Sequence, residues 1–322
     1  MMTRLVFSLS KAINTAKKKK AKLIILQAPE GLKEKIVGIA RKIEKETNAK
    51  TLVMAEPCYG ACDIPTKEME MLNADLVIHF GHTKMLEAKN VFYAPLEYSL
   101  GKKMLERLSA RAAKKIQKAG FKKAGLLATA QYISYLSLVK KALEKQGLKV
   151  LVGKSSFMAR GQVLGCNVQS ATSVSRKTDC FLFLGDGQFH PLGVALETGK
   201  PVFTLDPLSR TVKRIKEREI DRMKRAHLAR IGIAKNAKSF GLLVSTKPGQ
   251  LGLKRALELK DLAEKNGRKA TIIVMDEVRE ELVAGINIEC FVNTACPRIV
   301  TDDARNWGKL LVSADEMREA LS

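Results

Sequence analysis

AKLIILQAPEGLKEKIVGIARKIEKETNAKTLVMAE, residues 21–56, packs an apolar strand, an amphipathic helix and a second strand into one short stretch. The first strand is Leu23-Ile24-Ile25-Leu26. The helix carries Leu32, Ile36, Ile39, Ala40 and Ile43 at the three- and four-residue spacings of one buried face. Thr51-Leu52-Val53-Met54 is the second strand, and Ala74 to Phe80 reads as a third. Continuously apolar strands separated by helices indicate parallel sheets covered on both faces.

The same order recurs twice. Ala124 to Ala128, a helix across Tyr132 to Lys145 with Leu136, Val139 and Leu143 inward, Val150 to Val152, and Cys180 to Leu184 form the second set. Phe240 to Val244, a helix from Leu251 to Lys265, Ala270 to Met275, and Cys290 to Val292 form the third. The reading is an α/β protein of three homologous small α/β domains with parallel sheets arranged around a shared central site. The expected domains are residues 1–100, 101–208 and 209–322. The basic segments Gly101 to Lys123 and Ser209 to Lys238 read as helical connectors between them. In the second, eleven Lys and Arg face three Asp and Glu. Ligands of such sheets gather outside the carboxyl ends of the strands, so the site is sought there.

At 322 residues the chain can bury a sizeable core, and 46% hydrophobic residues with nine prolines exclude a disordered protein. Fifty-seven Lys and Arg against 33 Asp and Glu leave a net charge of +24. No apolar run approaches the roughly 20 residues of a membrane helix, and the first residues lack a signal-peptide core, so a cytoplasmic protein without membrane contact is expected. The charge raises nucleic-acid binding as an alternative function, against which stand 5% aromatics and no recognised binding motif. A phosphate loop, a dinucleotide glycine fingerprint and a Ser-His-Asp pattern are all missing.

The repeat sorts the six cysteines. Cys180 and Cys290 both open a third strand and read as buried packing thiols. Cys62 in PCYGACDIP, Cys166 in GQVLGCNVQ and Cys296 in VNTACPRIV each follow Gly or Ala in a loop beyond a strand, one per repeat. Three thiols on converging loops suit a cube-shaped iron–sulfur cluster with one iron left open to substrate. Three unrelated cysteines fit the spacing as well, since their separations match no local ligand pattern. Cys58 and Cys62 also form a C-x-x-x-C pair that could begin a zinc or iron–sulfur site, a closed zinc site then drawing on His79, His82 and His190 as further ligands. His82 and His190 follow third strands, and the GDG at Gly185 to Gly187 permits close approach of a small molecule.

QAPEGL (27–32), YGACD (59–63), HFGHT (79–83), LGCN, GDGQFHPLGVALETGKPVF and NTACPRI together resemble the archaeal 2-(3-amino-3-carboxypropyl)histidine synthase family, which opens diphthamide biosynthesis. The resemblance spans residues 23–312. It implies a 4Fe-4S cluster held by Cys62, Cys166 and Cys296, whose fourth iron binds S-adenosylmethionine, in a radical enzyme lacking the usual C-x-x-x-C-x-x-C loop. The implied products are methylthioadenosine and a 3-amino-3-carboxypropyl radical that adds to a histidine of translation elongation factor 2. It further implies a homodimer and an electron donor, and places Gln162, Gly185, Gly187 and His190 beside S-adenosylmethionine. Noncatalytic paralogues exist in the same family; the presence of all three motif cysteines points to an active chain. The thiol at Cys58 departs from the family pattern and leaves a ligand swap with Cys62 open.

Overall fold

The computed structural model describes residues 4–304 and 307–322 and divides into two compact units, one running to Lys216 and one spanning Glu217–Ser322. Three sheets carry the fold. The first contains β1 (Arg4–Phe7), β2 (Leu23–Gln27), β3 (Lys50–Val53), β4 (Leu76–Gly81) and β5 (Val91–Ser99), with α1 (Leu9–Lys19), α2 (Lys33–Thr47) and α3 (Thr66–Met71) between them. The second contains β6 (Lys123–Ala128), β7 (Lys149–Leu151), β8 (Cys180–Leu184), β9 (Val202–Asp206) and β10 (Thr211–Arg214), with α4 (Lys102–Lys118), α5 (Leu136–Glu144), α6 (Gln169–Ser175) and α7 (Phe189–Thr198). In the second unit, α8 (Glu217–Ala234), β11 (Ser239–Ser245), α9 (Leu253–Lys265), β12 (Lys269–Met275), β13 (Cys290–Asn293), β14 (Leu310–Ser313) and α10 (Ala314–Leu321) complete the set.

Each sheet has the same parallel core: β3-β2-β4-β5, β7-β6-β8-β9 and β12-β11-β13-β14. Registers align the repeats residue by residue, because Ile24 pairs with Leu76, Ala124 with Cys180 and Phe240 with Cys290. Cys180 and Cys290 therefore occupy the place of Leu76, and all three side chains are fully buried.

An acidic residue just before each third strand ties down the start of the first. Asp75 accepts from the amides of Lys22 and Leu23, Asp179 from those of Lys122 and Lys123, and Glu289 from that of Lys238. Backbone hydrogen bonds hold the carboxyls of Asp75 and Asp179 below the usual carboxylate range.

Volume is exchanged between neighbouring strands. A Cβ on Gly125 would stand 2.4 Å from the Phe181 ring and one on Gly241 2.7 Å from that of Phe291, while the equivalent pair in the first sheet is Ile25 beside Val77. The glycines of AGLL and FGLL make room for the rings across from them.

Several readings change. Each repeat gains a fourth strand, and antiparallel strands β1 and β10 extend the edges of the first two sheets. Thr211–Arg214, expected within a helical connector, is β10, where backbone pairing to β9 and burial of Val212 outweigh helix propensity. The other connector, α4, buries Leu105, Leu108, Ala112, Ala113 and Ile116 in the core of the second sheet, so it is a layer packed on that sheet. The expected helices begin later than their apolar pattern, because 3-10 turns at Glu30–Leu32 and Ala130–Tyr135 lead into α2 and α5. Among the described residues no helix is long and apolar enough to cross a membrane.

Candidate functional site at the carboxyl edges of the sheets

The first edge is built by Gln27 at the end of β2 and His79 near the end of β4, which lie opposite each other in register. Gln27 Nε2 donates to the carbonyl of Asp63 at 2.7 Å, so its Oε1 faces His79 Nδ1 at 2.6 Å. That oxygen can only accept; His79 Nδ1 donates, and its Nε2 lone pair receives His82 Nδ1–H at 3.0 Å. Burial, reinforced by His82, pushes the His79 pKa down to about 3, and burial pushes His82 to about 4. Both imidazoles are neutral near pH 7. The Sγ of Cys58 and one ring nitrogen of each histidine all lie within 4.8 Å of one another. Because Asp63 directly follows Cys62, the same network anchors the loop that carries the motif thiol.

The second edge presents Cys166 at the tip of a tight turn, where Leu164 and Asn167 exchange backbone hydrogen bonds of 2.9 and 3.2 Å. A Cβ on Gly165 would stand 1.8 Å from the Phe189 ring, so any other residue before the thiol would have to displace that ring. Gln162, fully buried, donates from Nε2 to Thr83 Oγ1 at 2.7 Å and so joins the first two repeats. Its Oε1 is buried without a hydrogen-bond partner, a costly state that a donor on a bound molecule would relieve. Gly185 is buried at the end of β8 and Gly187 is exposed, while Asp186 between them accepts from Tyr132 Oη at 2.9 Å. Burial and then the Asp186 charge push the Tyr132 pKa far up, which fixes it as a donor. His190 lies in the first turn of α7, stacked on Phe183 at 5.9 Å and edge-on to Phe189 at 5.4 Å.

The third edge lies in the second unit. Asn293 ends β13 at the register position of His79 and Phe183. Its Nδ2 donates to the carbonyl of Cys296 at 2.7 Å and its Oδ1 accepts from Ala295 N at 3.1 Å, setting the loop that carries the thiol. Thr294 Oγ1 donates to the Leu243 carbonyl at 2.7 Å and secures the base of that loop.

The six cysteines form no disulfide. Cys180 and Cys290 are buried and burial pushes both thiols up to about 12, which suits packing and not metal ligation. Cys166 is exposed and Cys62 and Cys296 are partly exposed, each in a loop at the carboxyl edge of its own sheet, where a thiolate is accessible for metal ligation. Their loops are not equivalent: those of Cys62 and Cys166 follow the second strand of a repeat, whereas that of Cys296 follows the third. Cys296, His82 and Asp186 each lie three residues beyond the matched positions Asn293, His79 and Phe183, so one chemistry-bearing residue follows the third strand in every repeat. Gln27 and Asn293 escape sequence reasoning as site residues, since nothing in their spacing distinguishes a loop-anchoring amide from an ordinary strand end.

The family model described as "Putative diphthamide synthesis protein" matches residues 28–322. The chain is 35% identical to the 2-(3-amino-3-carboxypropyl)histidine synthase of Pyrococcus horikoshii, over 96% of this chain and 88% of that protein. It is 30% identical to the synthase of the same name from Methanocaldococcus jannaschii, over 92% and 83% of the two chains. The crystal structure of Dph2 from Pyrococcus horikoshii with a 4Fe-4S cluster superposes with a TM-score of 0.89 at 32% identity, covering 99% of this chain and 91% of that one. On a family match across nearly its whole length, this chain belongs to the diphthamide synthesis protein family.

Proposed function

We propose that the chain is a 2-(3-amino-3-carboxypropyl)histidine synthase. It transfers the 3-amino-3-carboxypropyl group of S-adenosylmethionine to a histidine of translation elongation factor 2, the first step of diphthamide biosynthesis. The observation that carries this reading is the near-full-length likeness to a solved relative that holds a 4Fe-4S cluster, in a chain that presents one loop thiol from each of three homologous repeats. The domains 1–100, 101–208 and 209–322 each contribute one ligand: Cys62, Cys166 and Cys296. The chain works in the cytoplasm as a homodimer and takes its electron from an electron donor.

When bound, the cluster supplies one electron to the sulfonium of S-adenosylmethionine, which parts into methylthioadenosine and the 3-amino-3-carboxypropyl radical. The protein's own residues hold and orient. Gln27 and Asn293 fix the loops of Cys62 and Cys296 through the carbonyls of Asp63 and Cys296. Gln162 offers its buried Oε1 to a donor of the co-substrate, the α-ammonium being the charged one. The Tyr132–Asp186 hydrogen bond sets the Gly185–Gly187 turn, whose two glycines admit the nucleoside, and His190 beside it contributes an imidazole face.

Anaerobic incubation of reduced protein with S-adenosylmethionine and elongation factor 2 tests this reading. Methylthioadenosine release with a 3-amino-3-carboxypropyl mass gain on one histidine is expected; an unmodified factor with intact S-adenosylmethionine contradicts it.

A further inference from the structure

The cluster ligands leave unused the one other thiol at the first edge. Cys58 is 3% exposed, with Sγ 3.8 Å from the Gly60 carbonyl, and it sits beside the paired rings of His79 and His82. We propose that Cys58, His79 and His82 form a separate binding site for a zinc-class divalent ion, which ties the loop of residues 55–65 to the end of β4.

Three observations carry it. First, thiolate sulfur with two imidazole nitrogens is a borderline-soft donor set that selects zinc or cobalt over magnesium or calcium. Second, the three donor atoms lie within 4.8 Å of one another, and a tetrahedral ion with bonds of about 2.0–2.3 Å spaces its ligands about 3.5 Å apart. The widest pair must therefore close by at most about 1.3 Å. Third, the outer shell is already built. His79 donates Nδ1–H to Gln27 Oε1, which fixes the tautomer and turns Nε2 toward the site, as ligating histidines require of the residues behind them.

On binding, His82 passes its proton from Nδ1 to Nε2 so that Nδ1 can ligate, and the Cys58 thiol releases a proton to solvent as sulfur bonds the metal. Nothing is oxidised or reduced. The fourth position falls to water. Because Gln27 also holds Asp63, the ion and the amide together would restrain both sides of the Cys62 loop.

Cobalt(II) is the probe. The full-length chain, stripped of metal under anaerobic conditions, is compared with the triple variant Cys62→Ala, Cys166→Ala, Cys296→Ala, which cannot use the proposed cluster ligands. One cobalt per triple-variant chain is expected, with sulfur-to-cobalt charge transfer and the visible bands of four-coordinate cobalt. Adding Cys58→Ser should abolish the charge-transfer band. Adding His82→Gln instead, which keeps a polar side chain at a partly exposed position, should weaken cobalt binding at least tenfold while the far-ultraviolet circular dichroism stays that of the triple variant. A triple variant that binds no cobalt, a charge-transfer band that survives Cys58→Ser, or unchanged affinity in His82→Gln overturns the proposal. None of these readouts depends on cluster assembly, so the outcome is independent of the transfer reaction.

Discussion

Gln27 and Asn293 perform one task from different strands: each uses a side-chain amide to hold the backbone beside a motif cysteine. Asn293→Leu keeps the shape and leaves the Cys296 carbonyl without this donor. The account predicts a loss of about 1–3 kcal/mol in stability, as for an unsatisfied buried group, and a clear fall in bound iron. Denaturant unfolding and iron analysis measure the two effects, and full iron occupancy would count against a positioning role. Cys180 and Cys290 behave oppositely. Both stand where the first repeat has Leu76, so Cys180→Val should change stability by less than about 1.5 kcal/mol and leave iron binding intact. With both thiols pushed up to about 12, these two should also alkylate far more slowly at pH 8 than Cys166, which mass spectrometry of peptides resolves.

The elements are joined by a few enforced fits. Gly125→Val drives a side chain into Phe181 and should cost about 1–3 kcal/mol or more, whereas the double change Gly125→Val, Phe181→Val imitates the Ile25–Val77 pair and should recover part of that loss. Urea unfolding of the two variants tests it, and equal stability of single and double variants would show that the strands do not trade volume. In the second unit, Glu316 in the first turn of α10 is buried yet ionised. Burial alone would raise its pKa, but hydrogen bonds from Arg230 at 2.6 Å, the Ser313 amide and His227 more than offset this and hold the carboxyl below its ordinary value. A carboxyl depressed on folding stabilises fully above the ordinary carboxylate range, and that contribution disappears as pH falls through the folded value. Glu316→Ala should cost about 3–5 kcal/mol at pH 7, and Glu316→Gln should flatten the acid limb of stability against pH. An unchanged acid limb in Glu316→Gln contradicts the assignment.

How much of this could be read beforehand follows from where each signal resides. The parallel core was legible because strands buried on both faces must be continuously apolar, as in LIIL, FLFL and CFVN, and the helices between them must show a 3.6-residue period. The edge strands β1 and β10 were not, since a four-residue strand such as Thr211–Arg214 has too few inward positions to display a period and owes its state to β9. The thiols sorted correctly into buried and loop sets because the repeat supplied an internal comparison. Cys58, His79 and His82 stand among the candidate ligands that the sequence offers, but which of those candidates meet, and the anchoring by Gln27, depend on which loops fold back over an edge, and linear spacing does not encode that.

Over the whole molecule, +24 is an uneven charge. The exposed Arg222, Lys224 and Arg225 cluster on α8, whose buried side chains are few. Such a face attracts an acidic partner and raises its rate of encounter. Reversing the three charges to Glu should slow modification of the proposed substrate, elongation factor 2, about tenfold at low salt while methylthioadenosine release without the factor stays unchanged. Equal rates of modification would remove that face from substrate docking. In the proposed function, one accessible thiol from each repeat, Cys62, Cys166 and Cys296, holds the cluster. Iron and acid-labile sulfide content, with the visible spectrum, of anaerobically prepared protein and its six single Cys→Ala variants measures this most directly. The account predicts loss of cluster in the Cys62, Cys166 and Cys296 variants and retention in those of Cys58, Cys180 and Cys290; a wild-type chain without iron after reconstitution, or a cluster that survives loss of any of the three, would contradict it.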